Sequence, residues 1–370
     1  MKQIDCLVVG AGIAGLSAAA RIATHRRVIV CEAEGAVGMH ASGRSAAFAH
    51  FDMESAIVRA LTAASLPLLQ EPGAKPHPAL FVALDGQLEK LDQLEANYRK
   101  WAPAIERLDP VQACELVPVL KQNSKGIIGA LLDSDGRKLD AHALLEGHRK
   151  GLNASGGELT VGAPVKAIRR NSDRWIVDTP GQSYSAKVIV NAAGAWADYV
   201  ASLAGVEPIG IQPLRRTVIT FDVPAGMDVS RWPFTKTVGT GFYIEPEGSG
   251  RLLACPMDEH PSDPCVAQPE EEDIALTAWR VEQATTLEIK RIASKWAGLR
   301  SFAPDREPVV GFDPDASGFF WLSGQGGFGL QTSPAMALAA EALICQLDWP
   351  EELRAVSVAP AQLSPARLRS

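Results

Sequence analysis

An α/β fold with a Rossmann-like nucleotide-binding unit is what the sequence predicts, and three observations predict it. The opening "DCLVVGAGIAGLSAAARIA" reads as a β-branched strand, a glycine turn and an alanine-rich helix. The same order of strand, small-residue turn and helix recurs at "AKVIVNAAGAWADYVASLAG" and at "FWLSGQGGFGLQTSPAMALAAEALI". The chain has 370 residues, 46% hydrophobic and 21% charged, which is ordinary globular composition and long enough for two domains.

The first unit continues into a second apolar strand, "RVIVCEAE", ending in acid, so it is a complete βαβ unit. Gly10, Gly12 and Gly15 fit G-x-G-x-x-G. The first permits the tight turn, the second lets a pyrophosphate approach the backbone, and the third lets helix and strand pack closely. Unpaired N–H groups of the helix N-terminus, from Ile13 and Ala14, favour a negative ligand there. Glu32 closes the second strand, where a carboxylate accepts both hydroxyls of a ribose. NAD and FAD share an ADP half, so this unit fits either. The middle crossing places a strand at 188–191 and a small-residue turn at 192–195, and the last one places a loop with Gly324, Gly326, Gly327 and Gly329 before a helix. Three such crossings spread over the chain suit one long cofactor laid across a sheet, which is FAD. "SGRSAAFAHF" then reads as a flavin cradle, with Arg44 and Ser45 holding pyrophosphate and ribityl, and Ala46 and Ala47 leaving room for the ring.

In order, "VVGAGIAGLSAA…CEAE", "GMHASGRSAA", "NAAGAWAD", "QPLRRTVITF", "GFYIEP", "WAGLRSFAPD" and "GQGGFGLQTSPAM" resemble the FAD-dependent D-amino-acid oxidase superfamily, most closely its bacterial D-arginine dehydrogenase branch. The resemblance runs over nearly all the chain. It implies a Rossmann-like FAD-binding domain at 1–75, 140–205 and 305–370, interleaved with an α+β substrate domain at 76–139 and 206–304 built on an antiparallel sheet. "TVITFDV" and "GFYIEP…GRLLACP" suit such a sheet. It implies oxidative deamination of D-amino acids, with the carboxylate on Arg216, Arg300 and Tyr243 and the amine on the Gly327 carbonyl. A guanidinium fork matches a carboxylate bidentately. Arg215, one residue away on the strand, points to the other face and serves as a control. Gln331 begins the helix aimed at the flavin. The cofactor set extends to Ser42, Gly43, Val165, Ala193, Gly194, Trp196, Gly298, Phe328 and Leu330.

The sequence departs from the branch where its polar contacts sit. Phe48, His50 and Met53 follow the cradle, Leu80 stands near an expected glutamate, and Phe234, Lys236 and Thr240 occupy a lid-like stretch. Loss of the acid argues against basic substrates. Two readings remain: Lys236 and His50 make a cation-capable pocket for an acidic side chain, or Lys236 faces solvent and Phe48, Met53, Leu80 and Phe234 make an apolar pocket. "LRSFAPD" lacks the cysteine of covalently flavinylated relatives, so FAD is expected to be noncovalent.

Alternatives within flavin chemistry are oxidation of an N-substituted amino acid, an opine or a 2-hydroxy acid such as 2-hydroxyglutarate. A flavoprotein subunit acting through a partner and an NAD-linked dehydrogenase compete less well, since neither uses both the arginines and the closing glycine loop. An electron acceptor, oxygen or quinone-type, is required. The net charge of −7 and scattered basic residues argue against nucleic acid. Six cysteines show no zinc-like or disulfide spacing, so no metal is expected. The absence of a signal-like or membrane-length apolar run points to the cytoplasm. A monomer or a homodimer is expected, and the Pro/Ala-rich tail "SVAPAQLSPARLRS" is expected to be loosely ordered.

Overall fold

The computed structural model describes residues 1–102, 104–122 and 126–369. Positions 103 and 123–125, inside the expected 76–139 segment, and 370 lie outside the described residues.

Four largely apolar strands, Lys2–Val9, Val28–Cys31, Ser183–Asn191 and Phe319–Ser323, with the polar edge strand Glu158–Thr160, build the parallel part of an eight-stranded sheet. The central strand Lys2–Val9 and its neighbour Ser183–Asn191 are buried on both faces toward their C-terminal ends, as a covered parallel sheet requires. Along its outer edge Ser183–Asn191 changes partners. Its first half pairs antiparallel with Arg174–Asp178, and Ile189 to Asn191 pair in parallel with Phe319–Ser323.

The helices Ile13–Ile22 and Gly329–Cys345 pack together on this sheet through small residues, Ala18 and Ala19 on one side and Ala335, Ala339 and Ala340 on the other. Small side chains let two helices of adequate propensity approach closely. Pro334 sits inside the longer helix and has no N–H for the Leu330 carbonyl. The Ser333 hydroxyl donates to that carbonyl instead, at 2.9 Å. The helix ends at Gln346 in the left-handed conformation, φ 58°.

A nine-stranded sheet forms the other layer. It gathers Ala79–Leu84, Glu106–Leu108 and Ile127–Asp133 from the first segment, and Gln212–Asp222, Phe234–Thr237, Tyr243–Pro246, Arg251–Cys255, His260–Pro261 and Ser294–Phe302 from the second. It departs from the expected antiparallel sheet at one place, where Phe234–Thr237 pairs in parallel with Ala79–Leu84. These strands come from different segments, so no hairpin forces them to run opposite. A small sheet of Phe48–Ala49, Ala74–Pro76 and Arg137–Leu139 stitches the layers at the crossover points.

The tail is not loose. It forms helical turns at Pro360–Leu363 and Pro365–Leu368, buries Leu363, and is pinned by Arg367 on Asp305 and Arg369 on Asp313, each at 2.7 Å. Proline at the first positions pre-sets φ for each turn, so composition alone misleads here. Among the described residues no helix is long and apolar enough to cross a membrane, no cluster of His, Cys, Asp and Glu forms a metal site, and all six cysteines are free thiols.

Candidate active site

The three glycine-rich turns meet at the C-terminal ends of the parallel strands, where open α/β sheets bind ligands. They form the floor of a cavity of about 1400 Å³. That exceeds the roughly 300–1,000 Å³ of an ordinary small-ligand pocket and suits a cofactor together with a substrate. The floor is shaped by missing side chains. A Cβ on Gly10, whose φ is +102°, would lie 2.6 Å from the Ala192 carbonyl oxygen, and one on Gly15 would lie 2.0 Å from that of Gly10. Gly12 faces the cavity, and the Ile13 N–H beside it donates to Ser42 Oγ at 2.9 Å. Glu32 lies in the wall, its two oxygens accepting from the N–H groups of Ala11 (2.6 Å) and Glu34 (2.9 Å), and each keeps a further lone pair. Ala14, Val165, Ala193, Gly194, Trp196, Gly326, Phe328, Gly329 and Leu330 also line the cavity.

Several expected residues have other duties. Arg44 borders the cavity, but its guanidinium donates to the carbonyls of Ala267 (2.8 Å), Ala297 (2.9 Å) and Met39 (3.2 Å). It fastens the cradle to the strand Ser294–Phe302, and a cation so committed is not a free phosphate ligand. Ser45 Oγ accepts from the Ala47 N–H, which helps hold Ala47 at φ 58°, while Ala46 and Ala47 stay at the wall. Gly15 and Gly43 serve close backbone packing; a Cβ on Gly43 would lie 2.4 Å from the Gly38 carbonyl oxygen. Gln331 is buried away from the cavity, donating to the His50 carbonyl (3.1 Å) and Thr62 Oγ1 (2.7 Å), so it ties the closing helix to the loop after the cradle.

The opposite wall is one face of the nine-stranded sheet. Because side chains alternate along a strand, register decides which of them share that face. Arg216 sits opposite Gly298, Leu214 opposite Arg300, and Lys236 opposite Tyr243. Phe234, Lys236, Tyr243, Arg216, Gly298 and Arg300 all border the cavity. Arg215 points the other way, onto Glu270 and Asp273, as its role as a control requires.

The arginines converge on a group the sequence reading missed. Arg216 Nη2 lies 3.3 Å from Glu259 Oε1, and Arg300 Nη1 donates to the same oxygen. Arg216 Nε donates to the Asp258 carbonyl at 2.7 Å. Burial works against the Arg216 charge, but its pKa is nevertheless raised, and the neighbouring carboxylates Asp258 and Glu259 support the charged form. Arg300 is pushed down to about 9, by burial first and then by neighbouring Arg216, which leaves it charged at neutral pH. Burial lifts the Tyr243 phenol well above its ordinary 10, so it stays a neutral donor. Gly327 explains the closing loop: a Cβ there would fall 2.1 Å from Arg300 Nε, so glycine lets the guanidinium lie on the loop.

Beside this clamp is an aromatic compartment. Phe48 stacks on Phe234 with centroids 4.3 Å apart, and His50 lies 6.0 Å beyond, with Met53 in the wall. His50 Nδ1 accepts from the Asp52 N–H at 3.1 Å, and burial, then Lys236, pushes its pKa down to about 3. The imidazole is therefore neutral, with its proton on Nε2. Lys236 neither faces solvent nor offers a free charge. Its side chain is 13% exposed and is paired with Asp52. Leu80 does not reach the site: on a strand whose even positions face away, it is buried with Val82 and Ile244 in the core behind the sheet. Both missed acids stand beside motifs already singled out, Asp52 in "HFDM" and Glu259 in "PMDEH", and that adjacency is the signal that identifies them.

Comparison with known proteins agrees with this geometry. Residues 5–343 match the family model DAO, FAD dependent oxidoreductase. The glycine oxidase of Geobacillus kaustophilus (strain HTA426) is 23% identical over 366 residues, covering 92% of this chain and 93% of that protein. Among solved structures, L-alpha-glycerophosphate oxidase from Mycoplasma pneumoniae with FAD bound superposes with a TM-score of 0.84 at 19% identity, over 93% of this chain and 95% of that one. Iminodiacetate oxidase from Chelativorans sp. BNC1 gives 0.78 at 21% identity, over 97% and 98%. These relatives support the superfamily and not the D-arginine dehydrogenase branch in particular. With its glycine-built floor and a family match spanning nearly all its length, the chain belongs to the DAO family of FAD-dependent oxidoreductases.

Proposed function

We propose that the protein oxidises the Cα–N bond of an α-amino acid, of D configuration and with a neutral side chain, to the imino acid, which water converts to the 2-oxo acid and ammonia. One observation carries this reading: two guanidiniums from separate strands converge on a single carboxylate oxygen, that of Glu259, so the site already recognises a carboxylate.

The residues fit FAD, because the open backbone at Gly12 and the Glu32 carboxylate, whose oxygens keep free lone pairs, match pyrophosphate and ribose in turn. The turn at 10–13, Glu32, Ser42, Ala46, Ala47 and the loop at 326–330 would hold it. Bound, it supplies the hydride acceptor. Arg216, Arg300 and Tyr243 fix the substrate carboxylate, and the Gly327 carbonyl accepts from the amine. Phe48, His50, Met53 and Phe234 receive the side chain. The Lys236–Asp52 pair is neutral as a unit, which favours neutral side chains over acidic or basic ones. Oxygen or a quinone-type acceptor takes the electrons onward.

The neighbour named iminodiacetate oxidase favours a second reading, oxidation of an N-substituted amino acid, for which the same clamp serves. The test is anaerobic mixing with D- and L-alanine, D-methionine, D-glutamate, D-arginine, N-methylglycine and 2-hydroxyglutarate while the flavin band is followed. Bleaching by neutral D-amino acids with release of ammonia is the expected result. Bleaching only by N-methylglycine transfers the assignment to N-substituted substrates, and bleaching only by 2-hydroxyglutarate removes amine oxidation altogether.

A further inference from the structure

Glu259 stands where a substrate carboxylate would stand. Its Oε1 faces Arg216 and Arg300, whose side chains are 16% and 15% exposed. Its Oε2 lies 2.9 Å from Nη2 of Arg306, which is 48% exposed at the rim. The carboxylate thus bridges two inner guanidiniums and one outer guanidinium. The backbone around it is fixed. The Asp258 carboxylate accepts from the Thr217 N–H at 2.9 and 3.0 Å, and His260 pairs with Arg215 on the neighbouring strand. Met257 and Arg306, one on each side of the contact, adopt left-handed φ of 56° and 62°, a conformation that costs a non-glycine residue on the order of 1 kcal/mol. With both flanking residues tied down, the freedom left to Glu259 is rotation of its own side chain.

We propose that Glu259 is an internal competitor for the substrate carboxylate, displaced from Arg216 and Arg300 on binding and kept at the rim by Arg306, so that it sets the affinity of the clamp. This rests on the reading of Arg216 and Arg300 as carboxylate ligands. The charges agree with it. Arg216, Arg300 and Arg306 face Asp258 and Glu259, a net charge of one positive, which an arriving carboxylate neutralises. Guanidiniums buried without any anion would be costly, and Glu259 satisfies them until substrate arrives. Turning outward, it keeps Arg306 as its partner, so displacement does not strand a charge.

The test is calorimetric titration of sodium acetate into the FAD-loaded protein at constant ionic strength, for wild type, Glu259→Gln, Arg306→Met, the double variant and Arg300→Met, each checked for full flavin content. Competition predicts that Glu259→Gln binds acetate at least fivefold more tightly. Arg306→Met, which removes the receiving partner, binds it more weakly than wild type, and the double variant binds as Glu259→Gln does. Unchanged or weaker binding in Glu259→Gln, with Arg300→Met still losing acetate, overturns the competitor role and leaves the arginine clamp standing. If Arg300→Met binds acetate as wild type does, the clamp itself falls, and the competitor with it.

Discussion

The two walls of the cavity are built on opposite principles. The floor is backbone: helix N-termini and turns in which Gly10 lets two turns pack closely and Gly12 and Gly194 leave main chain bare at the cavity, each turn contiguous in sequence. The facing wall is side chains: Arg216, Lys236, Tyr243 and Arg300 come from four strands and are brought together only by register. A backbone site depends on the absence of atoms and fails when one is added. A side-chain site depends on charge pairs, and it fails when one partner is removed.

The sharpest break should come from the floor. Gly12→Val places branched carbons toward Ser42 Oγ, which a Cβ already approaches to 3.3 Å, and the variant should purify folded but colourless. A fully flavinylated Gly12→Val protein would remove the pyrophosphate from that turn. On the wall, Arg300→Met should keep its flavin and lose about 3 kcal/mol of transition-state stabilisation, roughly a hundredfold in kcat/KM. Arg215→Met, on the same strand as Arg216 but the other face, should change kcat/KM less than threefold and register instead in stability, since it abandons Glu270 and Asp273. Similar kinetic losses in both variants would mean that the two faces have been assigned wrongly.

A smaller effect distinguishes the charge pair. Lys236→Met leaves Asp52 half-buried without its partner and should cost roughly 2 kcal/mol of stability, most of it recovered in Lys236→Met/Asp52→Asn. Turnover of D-glutamate and D-methionine should fall equally; a loss confined to D-glutamate would restore Lys236 as an acid-binding cation. The smallest effect concerns pH. Burial raises the Glu245 carboxyl to about 7, with Lys138 at 2.8 Å only partly countering it. A carboxyl whose folded pKa is raised favours the fold in its protonated form, and that contribution fades as pH rises from about 4.5 to 7. Glu245→Gln should flatten the decline of Tm over that interval, and an unaltered slope would assign the decline to other groups.

What was legible in the sequence follows the same division. The strand–turn–helix units and the Glu32 wall position were readable because glycine spacing is a local rule, whereas Arg216, Tyr243, Arg300 and Gly327, all at the cavity, came only from the family resemblance. Arg44 was misread because its partners, Ala267 and Ala297, lie more than two hundred residues away. Leu80 was placed in the pocket for want of a register that the pairings of its strand with Phe234–Thr237 and Ile127–Asp133 supply. Asp52 and Glu259 were missed for a related reason: an acid beside a motif becomes part of a site only when a distant cation folds onto it.

The most direct test of the carboxylate clamp is the rate of anaerobic flavin reduction by D-alanine and by ethylamine, which lacks the carboxylate, in wild type and Arg300→Met. A clamp at Arg216 and Arg300 predicts that wild type prefers D-alanine by at least a hundredfold, and that the preference collapses to within tenfold in Arg300→Met. Equal preference in the two proteins would contradict the account, since the carboxylate would then be recognised elsewhere.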